Sequence, residues 1–273
     1  MMPPPPAQQP PRILILDNDE TTGSYNLLFH LYDLFARASF GPQLNPAITM
    51  SVITRYARAA GVFRKGLQRL LVATASLKAA GRIDKVIMYT NQLDVRQIRG
   101  MRTWRTEGIE WSVPQMIQIM LVYLANSPDL IDIILTRPVD LESLTANYPV
   151  KDLTRAFRAA CPGAAVDLRL TRFLDDLADE KYMIDSSNSN TDAESRIKLA
   201  PYRARLDPRV FRRIVFSVLE KHGIMLSEPD RRLLDRQEAL WLDANWRIEP
   251  QNLDTSFEEL VPVLKHVYSK TDT

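Results

Sequence analysis

Three short apolar runs constrain this chain more than any other feature, because none of them alternates with polar residues. They are ILIL at 13–16, VIMY at 86–89 and IDIIL at 131–135. A strand with one wet face alternates; a strand covered on both faces reads as a nearly continuous apolar run. Between them lie stretches of helical period. Tyr25, Leu28, Phe29, Tyr32 and Phe35 predict a helix over 24–37, and GPQLNP at 41–46 breaks it before a second over 47–60. Phe63, Leu67, Leu70, Leu71 and Leu77 mark a third over 62–82, with Gly81 as its C′ residue. SVPQ at 112–115 reads as an N-cap, a first-turn proline and a capping-box glutamine opening a buried apolar helix. KDLTRAFRAA at 151–160 is a further helix, and DLRLTRFLDD at 167–176 predicts a final strand. Strands alternating with helices predict an α/β chain with a Rossmann-like, doubly wound parallel sheet.

Length permits one large domain or two small ones, since 273 residues bury a sizeable core. We read residues 1–11 as a proline-rich, solvated tail and 12–273 as a single domain, with a helical insertion at about 24–60 and a helical C-terminal extension at about 201–273. In that extension SEPD at 227–230 is a second capping box, and Trp241 and Trp246 are expected as packing anchors. Lys plus Arg number 35 against 33 for Asp plus Glu, so charge implies neither nucleic acid nor membrane as a partner. No apolar run reaches the ~20 residues of a membrane span. The expected setting is soluble and intracellular, cytoplasmic or nuclear. One cysteine, Cys161, rules out an intrachain disulfide and a cysteine-rich zinc site. His30, His222 and His266 have no metal-binding spacing.

The first strand ends on Asp17, Asn18, Asp19 and Glu20, and the last on Asp175 and Asp176. Acids at the mouth of a core repel one another and lose hydration, so they need a cation or a chemical task. An EF-hand loop from Asp17 would need glycine at its sixth position and glutamate at its twelfth; Thr22 and Leu28 stand there. Helix capping by Asp19 or Glu20 accounts for part of the first group and leaves the second pair unexplained. Two acidic strand ends in one sheet suit Mg²⁺, a hard ion that takes carboxylate, water and phosphate oxygens. In open α/β sheets ligands bind beyond the carboxyl ends of the strands, where Asp17, Thr90 and the 175–176 pair all fall.

These residues carry a resemblance. DNDET at 17–21 is similar to the DxDx[T/V] signature of the haloacid dehalogenase superfamily. VIMYTN supplies a strand-terminal threonine like that of its second motif, and FLDD at 173–176 resembles its fourth. YPVKDLTRAF at 148–157 looks like the lysine-bearing stretch of the branch that contains the carboxy-terminal-domain protein phosphatases. FRKGL at 63–67 is similar to that branch's FRPGL, with Lys65 in place of proline. The resemblance spans about 12–205. It implies a Mg²⁺-dependent phosphomonoesterase working through an aspartyl-phosphate, of the Ser/Thr protein phosphatase type. Asp17 would be the nucleophile and Asp19 the proton donor. The Asp17 carboxylate, the Asp19 carbonyl, Asp176 and Asp175 would surround the metal. Thr90, Lys151 and the Asn18 amide would bind phosphate, while Thr21 would bond within its own turn.

One departure bears on substrate. Where that branch commonly has a β-hairpin flap after the first motif, this chain reads as helix. A phosphorylated protein and a small or nucleic-acid terminal phosphate both stay open as substrates, as does a non-catalytic binding module on the same fold. The stretch 94–112, with Arg96, Arg99, Arg102, Arg105, Trp104 and Trp111, reads either as a basic surface for acidic or phosphorylated partners or as an exposed arginine loop whose tryptophans enter the core.

Overall fold

A computed structural model describes residues 9–18, 21–59, 61–90, 103–136, 151–176, 196–199, 201–202, 206–207, 209–246 and 257–269. Asp19, Glu20, most of the proline-rich tail, Arg96, Arg99, Arg102 and the 186–195 stretch lie outside the described residues. In chain order the elements are β1 (Ile13–Leu16), α1 (Asn26–Arg37), α2 (Pro46–Ala57), α3 (Leu67–Ala79), β2 (Lys85–Tyr89), β3 (Arg105–Thr106), β4 (Ile109–Glu110), α4 (Val113–Ala125), β5 (Ile133–Leu135), α5 (Leu153–Ala160), β6 (Thr171–Asp175), β7 (Arg196–Lys198), α6 (Arg209–Lys221), α7 (Glu228–Trp246) and α8 (Phe257–Ser269). Five strands form one parallel sheet in the order β5-β2-β1-β6-β7. The expected Rossmann-like α/β architecture is present. Among the described residues no helix is long and apolar enough to cross a membrane.

The non-alternating runs are explained by what covers each face. Leu14, Leu16, Val86, Met88 and Leu174 point into the larger core, with side chains from α1–α4 and α6–α8. Ile13, Ile15, Ile87, Tyr89 and Phe173 point the other way, onto Leu153, Ala156, Phe157 and Ala160 of α5. All four β1 residues are fully buried. At about 1.5–3 kcal/mol per buried aliphatic side chain, this central strand is a main anchor of the sheet.

The expected helical insertion is a packed layer. Leu27, Leu28, Leu31, Leu34 and Phe35 of α1 and Val52, Ile53 and Tyr56 of α2 belong to the larger core. Ser39, just after α1, donates to Asp230 through its N–H (2.8 Å) and hydroxyl (2.6 Å), fastening the insertion to the start of α7. At its base the chain closes on itself: Gly23 pairs antiparallel with Phe63, and Ser24 and Arg64 N–H donate to the carbonyls of Val62 and Thr22. A side chain at Gly23 would come within 2.5 Å of the Val62 carbonyl oxygen, so this crossing needs glycine. The same pairing corrects the third predicted helix. Phe63 forms a bridge and is not helical, Gly66 takes a left-handed conformation (φ 79°), and α3 starts at Leu67.

Three further expectations need correction. β6 is not the last strand, because β7 adds a charged three-residue edge after it. The stretch around Trp104 contains a hairpin, β3–β4, turning through Glu107 and Gly108, both at positive φ. Its Trp104 and Trp111 are buried in the core, and Arg105 pairs with Glu110 at 3.0 Å. At α4 the capping box is half made: Ser112 Oγ accepts from Gln115 N–H, but Gln115 Oε1 has no hydrogen bond among the described residues. The 227–230 box is reciprocal, with Asp230 as its acid. Trp241 packs parallel to Phe211, as an anchor should.

Candidate functional site

The sheet order gives the site its position. From β1 the chain moves outward through β2 and β5, then returns to the other side of β1 for β6 and β7. The reversal falls between β1 and β6, and a ligand crevice lies at the carboxyl end of such a switch point. In the β1–β6 register Leu16 stands opposite Leu174, and Asp17 N–H donates to the Leu174 carbonyl at 3.0 Å. Asp17 therefore leaves β1 level with Asp175 and Asp176. One carboxylate oxygen from each of the three lies within 4.8 Å of the others. All three residues are buried, at 4%, 2% and 6% exposure.

A lysine enters from a third direction. Asp152 caps α5 by accepting from the N–H groups of Thr154 and Arg155, and its own N–H donates to Tyr89 Oη at the end of β2. Lys151 sits just before that cap and is itself buried, ahead of the helix and not on its surface. Its Nζ lies 2.6 Å from Asp17 Oδ1 and 2.5 Å from Asp175 Oδ2, and 5.5 Å from the Phe173 ring centroid. A lysine is rarely buried unless it is paired, and this one bridges two acids.

Thr21 is the residue that the sequence undervalues. Its hydroxyl lies 3.0 Å from Asp17 Oδ2, as expected for a bond within the turn, and equally 3.0 Å from Asp176 Oδ1. It also accepts from the Asp176 N–H at 2.9 Å. Thr22 holds the turn itself, its N–H and hydroxyl both donating to the Asn18 carbonyl. No periodicity or spacing signals a bond from Thr21 to a residue so distant in sequence.

The remaining predicted residues divide. Thr90 is buried at the carboxyl end of β2, beside β1, with its N–H donating to the Leu135 carbonyl at 2.9 Å. Asn18 is fully buried, and neither Oδ1 nor Nδ2 has a hydrogen-bond partner among the described residues. A buried unsatisfied amide is costly and calls for an explanation. Asp19 falls outside the described residues.

Three carboxylates and one ammonium give the cluster a formal charge of −2 when all are ionised. Burial pushes Asp17 up to about 7 from the ordinary 3.8; Lys151 opposes this, and Asp175 and Asp176 add to it. Burial alone would lower Lys151, but the Asp17 and Asp175 carboxylates outweigh it and hold the ammonium firmly protonated. Hard oxygen donors, net negative charge and close spacing are what a divalent ion such as Mg²⁺ or Mn²⁺ requires. The donor set fits a metal ion.

The other reactive side chains are ordinary. His30 Nδ1 lies 3.2 Å from Gln237 Oε1, and Cys161 is a free, half-buried thiol at the end of α5 with its pKa raised by burial. No family model, curated protein or solved structure matches this chain.

Proposed function

We propose that the chain is a Mg²⁺-dependent phosphomonoesterase that works through an aspartyl-phosphate on Asp17. The observation that carries this reading is the buried cluster of Asp17, Asp175, Asp176 and Lys151 at the sheet's switch point. Among the described residues three buried acids meet one lysine, and a divalent ion would offset the desolvation and mutual repulsion that burial imposes on them.

Within this reading the two adjacent acids differ. Asp175 takes the Lys151 ammonium at 2.5 Å, whereas Asp176 is held by a neutral hydroxyl. Asp176 would join Asp17 as a ligand to the metal, while Asp175 is the counter-ion of Lys151. The Asp19 carbonyl would complete the protein's share of the ligands. Bound Mg²⁺ supplies positive charge beside Asp17, drawing it back to the carboxylate form and offsetting charge on the phosphoryl oxygens.

The chain's own residues then act in two steps. An Asp17 oxygen attacks phosphorus in line; the bond to the leaving oxygen breaks with its electron pair, and that oxygen takes a proton from Asp19. A water molecule next attacks the phosphorus of the aspartyl-phosphate, gives its proton to Asp19, and Asp17 departs as carboxylate with release of inorganic phosphate. Lys151 and Thr90 hold the phosphoryl oxygens where charge gathers, and the Asn18 amide offers a further donor. The resemblance to the carboxy-terminal-domain branch favours a phosphorylated protein as substrate.

The test is hydrolysis of a generic aryl phosphate with and without Mg²⁺. Turnover should require the ion, and Asp17→Asn should reduce it by about 10³-fold or more. Mg²⁺-independent turnover, or an Asp17→Asn protein as active as its parent, would remove the proposal. Phosphopeptides compared with sugar phosphates and 3′-phosphorylated oligonucleotides would identify the substrate class.

A further inference from the structure

We infer that Thr21 is a positioning residue for the divalent ion, setting the relative placement of Asp17 and Asp176 through one hydroxyl. The inference rests on the metal site proposed above and assigns a task to a residue that the reaction scheme does not use.

A threonine hydroxyl has one hydrogen to donate and two lone pairs to accept with. One lone pair of Thr21 receives the Asp176 N–H at 2.9 Å. The single hydrogen faces two carboxylate oxygens, Asp17 Oδ2 and Asp176 Oδ1, both at 3.0 Å. It satisfies one fully, or the two in part. Both carboxyl groups are thereby tied to one hydroxyl oxygen at the same distance, a spacing that a divalent ion bound to Asp17 and Asp176 would use.

The connection is also a polar link between the chain segments that leave β1 and β6. Thr21 is four residues from Asp17 and 155 from Asp176, and it is fully buried. Lys151 makes the corresponding link from Asp17 to Asp175. Asp17 is thus gripped at both oxygens, Oδ1 by an ammonium and Oδ2 by a hydroxyl. The Thr21 grip reaches the carboxylate assigned to the ion, and it includes the Asp176 backbone N–H, so it fixes where that residue leaves β6 and not merely its side-chain rotamer. Residues that orient metal ligands in this way typically cost 10–100-fold in metal affinity when they are changed.

Valine keeps the branched shape of threonine and removes the hydroxyl; serine keeps the hydroxyl and removes the methyl. Mn²⁺ binding to the full chain, followed by calorimetry and by the loss of the free-ion electron paramagnetic resonance signal, compares Thr21→Val and Thr21→Ser with the parent. Melting of each protein in chelator checks the fold independently of the ion. The expected result is Mn²⁺ affinity weakened about 10–100-fold in Thr21→Val, near-parent affinity in Thr21→Ser, and cooperative ion-free melting for both, lower in Thr21→Val because it removes the buried acceptor of the Asp176 N–H. Parent-like affinity in Thr21→Val would overturn the role of Thr21 and leave the metal site standing. Equal losses in both variants would also overturn it, by showing that the methyl group's packing matters and not the hydroxyl. A parent that binds no Mn²⁺ would overturn this inference and the metal-dependent reading together.

Discussion

The two ends of the same sheet carry charge in opposite ways. At the amino end Asp132, just before β5, lies 2.8 Å from Lys78 Nζ and 3.5 Å from Lys85 Nζ, and accepts from the Val86 N–H at 2.8 Å. Beside it Asp84 takes Arg12 through backbone and side chain. There cations match or outnumber acids, and water reaches them. At the carboxyl end three acids lie together with one lysine among the described residues, Lys151 pairing with Asp17 and Asp175, and all four side chains are buried. The amino-end arrangement is what a sheet needs to tie down its strands. The carboxyl-end arrangement costs stability unless something else enters, and this difference separates a structural ion cluster from a candidate catalytic one.

The largest expected effect comes from removing the lysine of the buried cluster. Lys151→Met should destabilise the ion-free protein by about 3–5 kcal/mol, because it removes the ammonium paired with buried Asp17 and Asp175. Urea unfolding in chelator measures this, and added Mg²⁺ should recover part of the loss. A change below about 1 kcal/mol, the range of an exposed pair, would erase the distinction between the two ends.

A smaller contrast lies in pH. Burial raises the pKa of Asp132, but the bonds from Lys78 and Val86 outweigh it and hold the carboxyl below its ordinary 3.8. Its contribution to stability is therefore present above that value and is lost as pH falls through the folded pKa. Asp132→Asn should cost about 1 kcal/mol or less at neutral pH and converge with the parent in acid. Asp17 has the opposite sign. Its folded pKa, pushed up to about 7, means that its protonated form favours the fold; that contribution is complete below 3.8 and disappears as pH rises through about 7. In ion-free buffer Asp17→Asn should gain on the parent across that interval. Unfolding midpoints across a pH series would show the two slopes, and parallel slopes would contradict the assignment.

Much of the carboxyl end is legible in the sequence because its parts are local. Apolar runs mark β1, β2 and β5, and the residues after β1 and β6 are acids whatever else is known. Lys151 is marked by the resemblance of YPVKDLTRAF to a lysine-bearing family motif; alone, a lysine at a helix start reads as solvated. What is hidden depends on pairing between distant segments. Nothing in SVITRYARAAGVFRKG shows that 62–64 must lie beside 22–24, so the third helix reads too long until Gly66 stops it. β7 is three residues, two of them charged, and its pairing with β6 supplies the strand character its composition lacks. Thr21 reads as a turn residue because the bond that distinguishes it reaches a strand 155 positions away. The half-made box at Ser112 is the reverse case, a local pattern whose second bond does not form.

The most direct test of the excess-acid account is diffraction from crystals of the full chain grown with Mn²⁺, recorded where the ion scatters anomalously. The account predicts one anomalous peak at the carboxyl end of β1 and β6, bonded to a carboxylate oxygen of Asp17 and one of Asp176, with Lys151 on Asp175. No peak there, with Lys151 still bridging Asp17 and Asp175, would mean that the cluster is held by protons and one lysine alone, and the metal-dependent account would be wrong.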